Sequence, residues 1–250
     1  MQQEHITSRR NPLLVHVRRL LTSRSYRAAC GEFAADGCKL LQEAARWYPG
    51  LHTVIAEDDI ELCQLNDDVC VVRVPKDVMQ SVSQMDAPQG AVFVCAMPQP
   101  CAARIAPGTL LLDGVQDPGN VGTILRTADA LEVPVVLLGG CADPYNPKTV
   151  RASMGAVFRT QPVSMTAAQA VEACRAAGVP LIAAAMHTQA RDLRELPLGQ
   201  AAVVIGSEGQ GVSPQMLEAC GACAVIPMSP RCESLNAAIA AAIVMWQMKR

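Results

Sequence analysis

Short apolar runs alternate along the chain with stretches in which apolar side chains recur every three or four positions. That alternation predicts strands separated by helices. In the first hundred residues it predicts helices at 11–22 and 36–46. Strands are predicted at Thr53–Ala56, Val69–Val74 and Ala91–Ala96. Pro75 opens a further helix between the last two strands, because proline suits the first helical turn. The stretch Met97-Pro98-Gln99-Pro100, continuing to Pro107-Gly108, breaks the pattern. Proline fixes its own φ and restricts the residue before it, so 98–108 reads as a linker between domains at 1–97 and 109–250.

The pattern is cleaner after the linker. Leu110–Leu112 starts a strand, and Val121, Ile124, Leu125, Ala128 and Leu131 form one face of the next helix. Val133–Leu138 is apolar throughout, as in a strand covered on both faces. Thr166 and Gln169 form a capping box, and Gly178 closes that helix. Further strands are expected at Val179–Ala185, Ala202–Ile205 and Ala224–Pro227. Ser213-Pro214 opens a short helix, and Ser234 is expected to cap a final helix that ends with Lys249 and Arg250. Strands alternating with helices predict an α/β fold with a parallel sheet.

Composition narrows the class. Among 250 residues half are apolar, yet only two Trp, three Tyr and three Phe occur. No run of about 18 apolar residues is present, which excludes a membrane-spanning helix. The start of the chain has no apolar signal core, so a cytoplasmic location is expected. Eleven cysteines, an odd number scattered through apolar stretches, argue against a disulfide framework. Cys220 and Cys223 form a CxxC with no second pair of ligands, so no metal is expected. The net charge is −2 overall but +4 over residues 1–50. Arg9, Arg10, Arg18, Arg19, Arg24 and Arg27 form a basic cluster suited either to a phosphate backbone or to a solvated helix face. The scarcity of aromatic residues disfavours single-strand binding by base stacking.

Three loops rich in polar residues and glycine carry the candidate chemistry. The first is Asp113-Gly114-Val115-Gln116-Asp117-Pro118-Gly119-Asn120-Val121-Gly122, with Arg126 following in the helix. The second, Gly206-Ser207-Glu208-Gly209-Gln210-Gly211, follows a strand with the spacing GxxGxG, which is neither a Rossmann nor a P-loop pattern. The third runs from Ile226-Pro227-Met228 to Ser234-Leu235-Asn236 at the head of the last helix. A plain turn or cap explains parts of each loop. It explains neither Arg126 beside an apolar face nor Asn236 in an Ala-rich helix. All three follow strands, so a parallel sheet would gather them at its carboxyl edge, where open α/β folds bind ligands.

Asp117-Pro118-Gly119-Asn120-Val121-Gly122 with Arg126, Gly206-Ser207-Glu208-Gly209, and Ile226-Pro227-Met228 with Ser234-Leu235-Asn236 resemble the three motifs of the SpoU (TrmH) family. That family, part of the SPOUT superfamily, consists of RNA 2′-O-ribose methyltransferases. Arg151-Ala152-Ser153-Met154-Gly155-Ala156 resembles the segment between the first two motifs. Residues 10–96, with the start Ile6-Thr7-Ser8-Arg9-Arg10-Asn11-Pro12-Leu13, are similar to the family's substrate-binding domain, which is of ribosomal-protein type.

The resemblance implies S-adenosylmethionine as cofactor, an RNA substrate, a deep trefoil knot in the C-terminal domain and a homodimer through that domain. It implies that Gly206, Ile226, Met228 and Leu235 line the adenosyl site. Asn120, Arg126, Glu208, Ser234 and Asn236 would form the catalytic shell, while Arg9, Arg10, Arg18 and Arg19 of the basic cluster are, by their charge, the candidates to meet RNA. The two-domain layout leans towards ribosomal RNA, with transfer RNA as the alternative. A silent RNA-binding relative is the rival from another class, and methylation of a base rather than ribose, as in other SPOUT lineages, is a second rival. Pro230, Ala237-Ala238 and Ala35-Asp36-Gly37 depart from the family's usual residues.

Overall fold

The computed structural model describes residues 3–99 and 105–250. The linker expected at 98–108 falls partly outside them. The chain forms two compact units, one from 1–99 with 145–159 and the other from 100–144 with 160–250. The sequence pattern had assigned 145–159 to the second part.

The first unit holds β1 (Gln3–His5), α1 (Pro12–Thr22), α2 (Arg24–Cys30), β2 (Glu32–Asp36), α3 (Cys38–Trp47), β3 (Leu51–Glu57), β4 (Cys70–Val74), α4 (Lys76–Val82) and β5 (Ala91–Ala96). Its sheet has the order β1-β4-β3-β5-β2. The strands β1, β4 and β3 are parallel, while β5 runs antiparallel to β3 and β2. Asn11 caps α1 by accepting from the Leu13 amide, with Pro12 in the first turn. The helix expected at 36–46 begins later, because Asp36 completes β2 and Gly37 turns the chain at φ +120°. Pro75 stands just outside α4, as its cap residue.

The second unit begins with β6 (Leu110–Asp113), α5 (Pro118–Ala130) and β7 (Val135–Leu137). The excursion into the first unit follows, carrying α6 (Pro147–Ala152) and α7 (Ala156–Thr160). The chain then completes the second unit with β8 (Val163–Ser164), α8 (Ala167–Ala177), β9 (Leu181–Ala184), β10 (Arg191–Asp192), β11 (Ala202–Gly206), α9 (Pro214–Ala219), β12 (Ala222–Val225) and α10 (Ala237–Met248). Its seven strands lie in the order β10-β12-β9-β11-β6-β7-β8. Every pair is parallel, as the apolar runs predicted. Among the described residues, no helix is long and apolar enough to cross a membrane.

Each face of this sheet has its own core. Leu110, Leu112, Val203 and Ile205 pack with Val121, Ile124 and Leu125 of α5 and with Ala241, Val244 and Met245 of α10. Leu111, Val204, Leu181 and Ala183 pack against Ala170 and Cys174 of α8 and Met216 of α9. Alternate residues of one strand therefore serve opposite layers. In the first unit, Phe33, Tyr48, Phe93, Tyr145 and Phe158 form one buried aromatic cluster, with Tyr145 and Phe158 supplied by the 145–159 excursion. Most of the chain's few aromatic rings are thus committed to packing.

Candidate active site

Gly206 ends β11 where no side chain is tolerated. A Cβ there would overlap the backbone of Gly211 and Val212. Ser207 and Gly211 exchange two backbone hydrogen bonds, each of 3.0 Å, and Gly211 turns at φ +68°. The Gln210 amide also donates to Ser207 Oγ. These bonds fold the second polar loop back on itself and hold its exposed carboxylate, Glu208, at the strand end.

A cleft of about 370 Å³ opens beside this loop. Its walls come from the ends of three adjacent strands, at Ala184–Met186, Ile205–Val212 and Ala224–Met228, and from the start of α10. Gly206, Ile226, Met228 and Leu235, the expected cofactor residues, all line it. So do Glu208 and Ser234. The inner surface is largely aliphatic, whereas Ser207, Glu208, Gln210 and Ser234 bring polar groups to it. The volume is within the range of about 300–1,000 Å³ typical of small-ligand sites.

Asn120 and Asn236 lie outside these walls but are bonded to them. Asn120 Nδ2 donates to Glu208 Oε1 at 2.5 Å, and Asn236 Nδ2 donates to Asn120 Oδ1 at 3.0 Å. Residues from all three loops thus form one continuous chain. Local capping positions the two asparagines. Asp117 Oδ1 accepts from the Asn120 amide at the start of α5, with Pro118 in the first turn. Asn236 Oδ1 accepts from the Ala238 and Ile239 amides. Asn236, not Ser234, is therefore the cap of the last helix, which starts at Ala237 and stops at Met248, short of Lys249 and Arg250. A capping role also explains an Asn in that Ala-rich stretch. Arg126 is exposed on α5, and among the described residues no hydrogen bond or ion pair engages its guanidinium.

One wall was missed from the sequence. Ala184 ends β9, and Ala185 and Met186 follow it in a loop without glycine. Met186 is 69% exposed, which is unusual for a large apolar side chain at a buried strand's end. That exposure shows only in the folded chain, and the sequence carries no signal for this wall. Cys220 and Cys223 are unpaired, and burial pushes the Cys220 thiol up to about 12. Among the described residues no group of three or more His, Cys, Asp or Glu side chains is placed to hold a metal ion.

The basic cluster of the first unit is less uniform than its sequence suggests. Arg27 is buried and donates to the Leu20 carbonyl at 2.8 Å, so it belongs to the core. Arg9 pairs with Asp77, and Arg18 donates to the carbonyls of Arg9 and Ser81. Arg19 lies 3.8 Å over the Tyr26 ring. Arg10, Arg19 and Arg24 are exposed.

The model of the SpoU rRNA Methylase family matches residues 107–246, and that of an MRM3-like substrate binding domain matches 11–92. The chain belongs to the SpoU methylase family. It is 32% identical, over 98% of its own length and 99% of the relative's, to the 23S rRNA (guanosine(2553)-2′-O)-methyltransferase RlmP of Bacillus subtilis. An AdoMet-bound rRNA methyltransferase from Sinorhizobium meliloti superimposes with a TM-score of 0.87 at 30% identity, covering 99% of this chain and 98% of that one. The SpoU methyltransferase AviRb from Streptomyces viridochromogenes, in complex with AdoMet, gives a TM-score of 0.82 at 29% identity, covering 96% and 97%.

Proposed function

We propose that this family member transfers a methyl group from S-adenosylmethionine to a ribose 2′-hydroxyl of ribosomal RNA. The observation that carries the reading is the Glu208–Asn120–Asn236 chain at the rim of the cleft. It joins all three motifs where a transferred group would emerge. Full-length similarity to relatives named as rRNA 2′-O-methyltransferases supports the substrate class.

The cleft suits the proposed cofactor. Ile205, Ile226 and Leu235 offer apolar walls to an adenine ring, and the turn held by Gly206 leaves backbone groups free of side-chain cover. When bound, the sulfonium supplies an electrophilic methyl group and its own positive charge. Asn120 and Asn236 orient the groups beside it, and Ser234 adds a hydroxyl at the wall. Holding reactants in line is the main service such residues perform. Arg126 is assigned to the RNA. Guanidinium stays protonated below about pH 12, so it clamps a phosphate and polarises the hydroxyl rather than removing its proton.

The homodimer belongs to the same proposal. Ile239, Ile243 and Trp246 form an exposed apolar stripe on α10, opposite the face that packs into the core. A stripe with that spacing is suited to a partner helix. The deep trefoil knot is proposed for the passage from β12 to α10, which packs against α5. Residues 1–97 would hold the RNA and 109–250 the chemistry, in the cytoplasm. Mapping 2′-O-methyl groups in ribosomal RNA from a strain lacking the gene tests the reading. One site should be lost and return on complementation. An unchanged ribosomal map, with a site lost from transfer RNA instead, would refute the ribosomal assignment.

A further inference from the structure

The second polar loop leaves the sheet and returns to it beside the same residue. Asp113 ends β6 and pairs in register with Gly206, the last residue of β11. The chain then runs through residues 207–212 and comes back at Ser213. There the Ser213 amide donates to Asp113 Oδ2 at 2.7 Å, across 100 residues of sequence. One foot of the loop is therefore held by the sheet at Asp113, and the other by the Asp113 carboxylate. Gly206 permits this return, because the Gly211–Val212 backbone passes where its Cβ would stand.

Much of the cleft depends on that fastening. Between the two feet, every residue except Gly209 lines the cleft. Ser213 Oγ accepts from the Met216 amide and so caps α9, whose Leu217 is part of the same wall. Glu208 stands on this loop and accepts from Asn120. Asp113 and Asn120 both belong to the first loop. That loop thus grips the second twice, near the sheet through Ser213 and further out through Glu208. Asp113 is only 8% exposed and follows the buried Leu110, Leu111 and Leu112. An apolar residue would continue that core without the cost of burying a carboxylate. What the carboxylate adds is a strong, directional acceptor for one amide of the other loop.

We propose that Asp113 is a positioning residue for the methyl transfer. Its carboxylate sets the Gly206–Ser213 loop, and through the loop it sets the cofactor wall and the place of Glu208 beside Asn120. The inference rests on the methyltransferase reading. Asp113 itself is absent from the cleft lining, so it acts on the reaction only through the loop. Displacing reacting groups by about 1 Å can slow a reaction about 10²-fold, which gives such a fastening its leverage.

The test compares Asp113→Ala with Asp113→Asn in the full chain. Ala removes the acceptor, whereas Asn keeps an oxygen within reach of the Ser213 amide. Thr166→Ala, which removes the cap of α8 in the same unit, shows what a loss of stability alone does. Calorimetry with S-adenosylhomocysteine gives cofactor affinity, single-turnover transfer to ribosomal RNA at saturating S-adenosylmethionine gives the rate, and hydrogen exchange locates any loosening. Asp113→Ala should weaken cofactor binding about tenfold and slow saturated transfer about 10- to 100-fold. Faster exchange should be confined to 207–213, and Asp113→Asn should recover both quantities to within a few-fold of the parent. Unchanged binding and rate in Asp113→Ala would overturn the proposal. So would losses no greater than those of Thr166→Ala, no recovery by Asp113→Asn, or faster exchange throughout the unit, which would make Asp113 a residue of the fold alone. A parent chain that binds no S-adenosylhomocysteine would instead remove the methyltransferase reading on which the proposal rests.

Discussion

Asn120 donates to Glu208 across 2.5 Å, although 88 residues separate them. The same amide accepts from Asn236 through its oxygen. Both hydrogen-bonding ends of one short side chain are therefore used. Glu208 accepts and Asn236 donates, so the orientation of the Asn120 amide is fixed. Asn120→Ala should break the chain at its centre. Cofactor affinity should stay within a few-fold, because Asn120 is outside the cleft walls, while methyl transfer falls by about 10²-fold or more. Single-turnover kinetics with calorimetric cofactor titration separates the two effects. Arg126→Ala should show the same split, with its loss in the RNA-dependent step.

Gly206→Val should abolish cofactor binding, measured by calorimetry. The added Cβ meets the backbone of Gly211 and Val212, so the whole turn must move. Gly209→Ala, where a Cβ meets nothing within 4 Å, should bind within a few-fold of the parent and serves as the control.

The basic cluster divides into two predictions. Arg27→Ala should destabilise the first unit by about 2 kcal/mol or more, because it empties a buried site and removes the donor to Leu20 O. Thermal unfolding would show it. Neutralising Arg10 and Arg19 should leave stability nearly unchanged. RNA affinity should fall, with the salt dependence flattened by up to about two phosphate contacts. An unchanged salt slope would make these residues a solvated face only.

Asp36 predicts a pH effect of definite sign. Burial raises its carboxyl above the ordinary value, with the Ser83 hydroxyl, the Arg151 charge and the Gln84 backbone amide acting the other way. Lys39 and Glu43 are the other charged groups around it. A raised folded-state value means that the native chain binds the proton more tightly than the unfolded chain. Stability therefore falls as pH rises through the interval above 3.8. Asp36→Asn keeps an acceptor for Ser83 and removes the buried charge. It should raise the melting temperature at neutral pH, and the gain should shrink as the solution is acidified.

Much of the second unit was legible in the sequence, for a physical reason. Strands buried on both faces read as plain apolar runs, and Thr166, Gly178 and Ser213-Pro214 marked helix ends by chemistry that needs no tertiary context. Ser234 misled because a serine before a helix is a sound cap, and Asn236 two residues later is an equally sound one. Only the position of the first helical amide decides between them. The fate of Arg27 was hidden because the sequence pattern does not show how α1 and α2 pack. The Arg151 excursion was hidden for the same reason, since the aromatic cluster that holds it is assembled from distant segments.

Trp246→Glu together with Ile239→Glu should convert the proposed dimer to a particle of 26.5 kDa by light scattering. Both side chains are more than half exposed in the single chain, so the fold itself should survive. A parent chain that already scatters as a monomer at micromolar concentration would contradict the dimer.

The most direct measurement follows the methyl group itself. The purified chain is incubated with S-adenosylmethionine carrying a tritiated methyl group and ribosomal RNA from a strain lacking the gene, and the RNA is then hydrolysed in alkali. A free 2′-hydroxyl attacks its neighbouring phosphate under those conditions, and a methylated one cannot. Tritium should therefore appear in an alkali-resistant dinucleotide, and Arg126→Ala should slow its appearance by about 10²-fold or more. Label released only as mononucleotide would place the methyl on a base, and no label in RNA would remove the methyltransferase reading altogether.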